Sequence, residues 1–168
     1  MNMSTAKTRT MTAMTRGARA VSITACLAVI LAAGLSLSAC EKNANGLKDG
    51  YYTAQEAAPE RGWTEFITIC VNNDKIVTVE YQAKTASGFI KSWDMDYMRT
   101  MNAVDGTYPN EYVRIYSQEF LEAQSADIDA VSGATHSYNS FKLLAAAVIA
   151  KAKAGDHTVA IVEVPPSE

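Results

Sequence analysis

Apolar residues recur at two different spacings along this chain. In "WTEFITICV" and "KIVTVEYQA" they alternate, so Ile67, Ile69 and Val71 share one face and Phe66 and Cys70 the other. That is the period of a half-buried strand. Asn72-Asn73-Asp74 between the runs supplies the residue types of a hairpin turn. "DGYYTAQEA" (49–57) predicts a further strand entered through a turn, and "HTVAIVEV" a closing strand ahead of Pro165-Pro166.

Between the strands the spacing lengthens. After a loop at "KTASGFIK", Trp93, Tyr97 and Met101 fall at i, i+4 and i+8, which predicts a helix from a Ser92 cap through Asn102. Asp94 and Asp96 in its first turn suit the positive end of the helix dipole. "GTYPN" breaks the pattern and Pro109 fits a new helix start. Val113, Tyr116, Phe120 and Gln124 then place a second helix over 110–124. A third covers about 137–153, with Phe141, Leu144, Ala145, Val148, Ile149 and Ala152 on one stripe, Lys151 and Lys153 in its last turn and Gly155 just beyond. Hairpin strands with helices grouped between them predict an α+β fold, an antiparallel sheet with helices packed on one side.

The N-terminal end departs from this pattern. Lys7, Arg9, Arg16 and Arg19 form a basic segment without an acid, followed by the apolar "AVSITACLAVILAAGLSLSA" and Leu37-Ser38-Ala39-Cys40. This order is that of a secretory signal, and its end resembles the bacterial lipobox, which implies diacylation of Cys40. An uncleaved membrane anchor is the alternative, because about 20 apolar residues can span a bilayer. Either way the remainder lies outside the cytoplasmic membrane. The domain reading is a signal peptide over 1–39, a lipidated tether over 40–48, a folded domain over 49–164 and a tail over 165–168. The basic segment is long, and Met11 or Met14 offers a later start.

Charge narrows the partners. All 18 acids lie beyond residue 40, against 11 lysines and arginines, which leaves a formal charge of −7 there. Such a surface argues against a nucleic-acid partner, since phosphate binding needs a basic patch. With Cys26 in the signal and Cys40 at the lipid site, Cys70 stands alone as a small buried hydrophobe, and no disulfide framework or metal cluster is available. Met95, Met98 and Met101 lack the His or Cys that would complete a ligand set.

"DIDAVSGATHSY" (127–138) is the segment with chemistry to explain. As local structure it is a turn into a helix: Gly133 permits positive φ, and Ser132, Thr135 or Ser137 can cap. The same geometry presents free N–H groups and a positive dipole to a phosphate near Thr135. Gly133 and Ala134 leave the Thr135 hydroxyl accessible. A threonine hydroxyl is a poor nucleophile without a base, so covalent chemistry there is done to it by another enzyme. The chain carries no catalytic residues of its own on this reading: Ser132 and Ser137 lack an oriented histidine partner, and no nicotinamide fingerprint is present.

Asp129-Ala130-Val131-Ser132-Gly133-Ala134-Thr135-His136-Ser137 resembles the flavinylation motif of the FMN-binding domain family. That family includes flavin subunits of RNF and sodium-pumping NADH:quinone reductases, and single-domain lipoproteins. "DGYYTA", "GWTEFITICVNNDKIVTVEY" and "KSWDMDYMRTM" are similar to the lipoprotein branch, so the likeness spans most of 49–154. The resemblance implies FMN joined to Thr135 by a phosphoester, installed from FAD by a flavin transferase that recognises Asp129, Ser132, Gly133 and Ala134. It implies an electron carrier on the outer face of the cytoplasmic membrane, held by a diacylglyceryl anchor. A membrane reductase or quinol would feed it, and an acceptor left open would take the electrons. Trp63, Trp93 and Tyr97 are then candidates to stack on the ring, and Lys91 to favour its reduced, anionic form. For Trp93, Tyr97 and Met101 the alternative is the buried stripe of a helix. His136 is expected to face solvent, and His157 has no argued role. Tyr138-Asn139 replaces the smaller residues expected after the motif, which bears on docking of the ring. The competing function is a non-redox lipoprotein, a small-ligand binding or surface interaction module.

Overall fold

The computed structural model describes residues 45–165. Cys40, the signal segment and the last three residues lie outside them. Strand β1 (Gly50–Glu56), β2 (Thr64–Asn72) and β3 (Lys75–Lys84) run antiparallel as a meander. The β2–β3 loop is the two residues Asn73 and Asp74, both at positive φ (51° and 62°), between the paired Asn72 and Lys75. That is the backbone a tight hairpin needs to match strand twist. Just beyond it the register shifts at Cys70/Val71, so Ile76 pairs with Val71 while Val77 bulges outward.

A single 3-10 turn (Lys91–Trp93) leads into α1 (Met95–Asp105), α2 (Pro109–Ala123) and α3 (Thr135–Ala154), and β4 (Ala160–Val162) ends the order. β4 joins the far edge of β1 in parallel, giving the sheet order β3-β2-β1-β4. The sheet is therefore mixed, which corrects the expectation of a purely antiparallel one. A parallel neighbour needs a long crossover, and here the three helices together form it.

Tyr52 and Ala54 of β1, Ile67, Ile69 and Val71 of β2 and Tyr81 of β3 build the buried face of the sheet. Against it α2 packs Tyr112, Val113, Tyr116 and Phe120, and α3 packs Phe141, Leu144, Ala145, Val148 and Ala152. The opposite face carries Thr53, Thr68, Phe66 and Cys70, all only half-buried. Cys70 thus sits on the open face beside Tyr51 and not in the core.

Element ends follow local chemistry. Pro109 opens α2, and Gly155 at φ 69° closes α3. The first helix differs from expectation. Asp94, not Ser92, caps α1 through the Tyr97 N–H, while Ser92 is buried in the 3-10 turn and donates to Gln82 Oε1 at 2.9 Å. No residue of α1 is fully buried, so the Trp93, Tyr97, Met101 spacing is not a core stripe. The described part of the expected tether is also fixed to the domain. Leu47 is buried, Asp74 accepts from the Asn45 and Leu47 N–H groups at 2.9 and 2.6 Å, and Lys48 N–H reaches the Ala152 carbonyl.

Candidate functional site

The site forms where the β1–β2 end of the sheet meets α1 and the first turn of α3. Glu60 and Trp63 exchange two backbone hydrogen bonds of 2.8 and 2.9 Å across Arg61-Gly62. This reversal brings Glu60, Arg61 and Trp63 to the rim of a cavity of about 320 Å³. That volume lies in the range of small-molecule sites. Trp63, Lys91, Tyr97, Gly133 and Ala134 all line it, so the structure brings these sequence candidates together. The Lys91 Nζ sits 4.9 Å from the Tyr97 ring centroid and 6.0 Å from that of Trp63, as in cation–π contacts.

Other candidates fall elsewhere. Trp93 is 65% exposed and packs edge-on to Phe89 outside the cavity. Asp129 is exposed on a separate cleft with Glu119, Glu122 and Asp127, where its N–H donates to Glu119. Ser132 and Thr135 are exposed beside the cavity without lining it.

The SGAT turn is built by close approach. Gly133 has φ 80°, and a Cβ there would stand 2.3 Å from the Asp105 carbonyl oxygen at the end of α1. Ala134 is the N-cap of α3 and makes no side-chain capping bond. None of Ser132, Thr135 or Ser137 serves as the cap. Thr135 is the first helical residue, its side chain exposed and without a hydrogen bond among the described residues. The opening N–H groups of a 20-residue helix thus lack a side-chain cap beside that hydroxyl, an arrangement that favours an anion.

His136 departs from its expected solvent-facing position. It is half-buried, its Nε2 2.7 Å from Glu60 Oε2 at the cavity rim. Tyr138 points away from the cavity and donates to the Ile128 carbonyl at 2.9 Å, tying down the loop before the motif. His157 stacks on Tyr52 at 4.7 Å near the start of β1.

The sequence reading missed two buried carboxyls under the cavity. Glu56 Oε2 accepts the Glu65 N–H at 2.8 Å and its Oε1 accepts from Ser140 at 2.9 Å. Glu65 Oε1 accepts from Ser137 Oγ at 2.8 Å, and its other oxygen meets the Tyr81 hydroxyl. Burial pushes the Glu65 carboxyl up from 4.5 to about 7, against the pull of Tyr81, Lys91 and Ser137. Burial, then the Glu65 charge, also raises the Tyr81 hydroxyl. A signal for both acids exists in the strand period. Glu65 has the parity of Ile67, Ile69 and Val71, and Glu56 that of Tyr52 and Ala54. An acid in register with the core face needs a partner or a purpose.

The model of the FMN-binding domain family matches residues 62–150. A curated relative, the 15 kDa lipoprotein of Treponema pallidum (strain Nichols), is 33% identical over 133 residues, covering 78% of this chain and 89% of the relative. A crystal structure of a Clostridium perfringens protein is 35% identical and superposes with a TM-score of 0.69, covering 71% of this chain and 99% of the other.

Proposed function

This chain belongs to the FMN-binding domain family, and from that premise we propose that it is a lipid-anchored, extracytoplasmic electron carrier with FMN joined to Thr135 by a phosphoester. The observation that carries the reading is Thr135 itself: an exposed hydroxyl on the first residue of a long helix that no side chain caps. A structural cap would have used Ser132, Thr135 or Ser137, and none is so used.

The residues present fit the group. The uncapped start of α3 suits a phosphate, Trp63 and Tyr97 offer aromatic faces, and Lys91 offers positive charge. When bound, the flavin supplies reversible uptake of electrons. The chain's own part is to hold that ring, screen it from water and set the charge around it. Lys91 stabilises added negative charge, whereas Glu65 and Glu56 oppose it. Asp129, Ser132, Gly133 and Ala134 belong to the frame a flavin transferase reads. Of these, the Gly133 backbone is also what lets α1 close over the site.

A covalent tether keeps the cofactor at high effective concentration where a dissociated one would be lost. Lipidation at Cys40 would hold the carrier at the membrane's outer face, near a reductase or quinol donor, as two acyl chains suffice to do. The lipoprotein named among its relatives supports this anchoring. Co-expressed with a flavin transferase, the wild-type chain is expected to give a band on a denaturing gel that fluoresces under ultraviolet light. Thr135→Ala is expected to give a dark one. Two dark bands from folded protein would sink the covalent reading.

A further inference from the structure

Beneath the cavity, the hydrogens of the buried network can be counted. Glu65 Oε1 accepts the Ser137 hydroxyl, and both Glu56 oxygens are already taken, by the Glu65 N–H and by Ser140. What remains is Tyr81, whose hydroxyl contacts Glu65 Oε2 and lies 2.9 Å from the Ser137 carbonyl. A tyrosine hydroxyl carries one hydrogen. If Glu65 is ionised, Tyr81 donates to Glu65 Oε2, and the Ser137 carbonyl, inside α3, keeps its helical N–H partner. A proton on Glu65 Oε2 allows a second, equally satisfied arrangement, because Tyr81 has the Ser137 carbonyl as an alternative acceptor. Glu65 then donates to Tyr81, Tyr81 to the Ser137 carbonyl, and the Ser137 hydroxyl to Glu65 Oε1.

The same carboxyl lines the cavity, together with Lys91 and Tyr112. Each packed element aims a group at it: Glu56 from β1, Tyr81 from β3, Lys91 from the 3-10 turn, Tyr112 from α2 and Ser137 from α3. Tyr97 and Asp105 of α1, with Glu60, Arg61 and His136, complete the charged and titratable wall. Lys91 draws Glu65 toward the carboxylate, while burial and Glu56 draw it toward the acid.

We propose that Glu65 is a redox-linked proton site, which takes a proton from solvent when negative charge enters the cavity and returns it when that charge leaves. The proposal rests on the flavin reading above. Its balance is simple. With FMN bound, an external reductant would supply the two electrons, and the cofactor's own proton uptake would be counted with them. Separately, the Glu65 carboxylate gains one O–H bond to a proton from water, and reoxidation reverses both. Tyr81 and Ser137 act as positioning residues by holding the hydrogen-bond circuit that makes the neutral form fit. With the carboxyl held near pH 7, both forms are within reach under ordinary conditions.

Glu65→Gln tests this, because a carboxamide can donate to Tyr81 and accept from Ser137 but cannot titrate. On flavin-free protein, infrared difference spectra taken through neutral pH read the protonated carboxyl directly. Wild type is expected to show a carboxyl C=O band that titrates near pH 7, absent in Glu65→Gln. On flavin-loaded protein reduced with dithionite, the midpoint potential of wild type plotted against pH is expected to bend near that value, and the Glu65→Gln plot to lack the bend. Tyr81→Phe, which keeps Glu65 but breaks the circuit, is expected to move the bend to a different pH. It serves in its place should Glu65→Gln fail to fold. A missing infrared band overturns the protonated Glu65, and superimposable potential curves overturn the linkage. A folded protein that takes up no flavin overturns the function proposed above and the linkage with it, while the flavin-free spectra still report on Glu65 alone.

Discussion

Gly133 shows how much one residue can be asked to do. Its φ of 80° disfavours any side chain, and the Asp105 carbonyl occupies the place of a Cβ. Alanine at a left-handed position costs about 1–2 kcal/mol from the backbone alone, and forcing a methyl against a carbonyl adds about 1–3 kcal/mol. Gly88 is a natural control, since its φ is 87° but nothing lies within 4 Å of its missing Cβ. Urea unfolding is expected to show Gly133→Ala losing clearly more stability than Gly88→Ala. Equal losses would mean that α1 can move aside at no cost. Glu65 makes the complementary point: its strand parity was visible in the sequence, but its partners come from β3 and α3, 16 and 72 residues away.

At the scale of elements, the hairpin and the helices answer to local signals, and their junctions do not. The end of α2 is an example. Gln124 caps it in the left-handed conformation (φ 55°), and its amide bonds the Ile76 backbone twice, accepting from N–H at 2.8 Å and donating to C=O at 3.0 Å. The side chain thereby stands in for a neighbouring strand next to the β3 bulge. Gln124→Ala leaves those two groups unpaired, which is expected to cost about 1–3 kcal/mol and to speed amide exchange at Ile76. Gln124→Gly relieves the backbone strain without restoring the bonds, so the fast exchange is expected to persist. Protection of Ile76 in both variants would show that the staple is dispensable.

For the whole molecule, the buried carboxyl has a consequence for stability. The native state holds the Glu65 proton up to about pH 7, whereas the unfolded chain releases it near 4.5. Between those values the native state binds more protons, so stability falls as pH rises through the window and stays reduced above it. The span corresponds to about 3 kcal/mol. Asp156 works oppositely: Lys151 and Thr158 hold it below its usual value of 3.8, so its contribution is lost only in strong acid. Urea unfolding at about pH 5 and about pH 8 is expected to show wild type weakening relative to Glu65→Gln by that order of magnitude. A constant difference between the two proteins would argue that Glu65 titrates alike in both states.

The sequence by itself determined the local periods: three of the four strands nearly to their ends, the Asn73-Asp74 hairpin, two helices to within two residues, and the SGAT turn into α3. Each of these depends on neighbours a few positions apart, and side-chain alternation or helical spacing records that directly. Only the tertiary structure decided which candidates meet. Lys91, Tyr97 and Trp63 share a cavity with Gly133 and Ala134, while Trp93 and Asp129 do not. It also decided the parallel seat of β4, the pairing of His136 with Glu60, and the two carboxyls under the site. Those depend on contacts between segments far apart in sequence, set by how the helices cross the sheet, and no local pattern carries that distance.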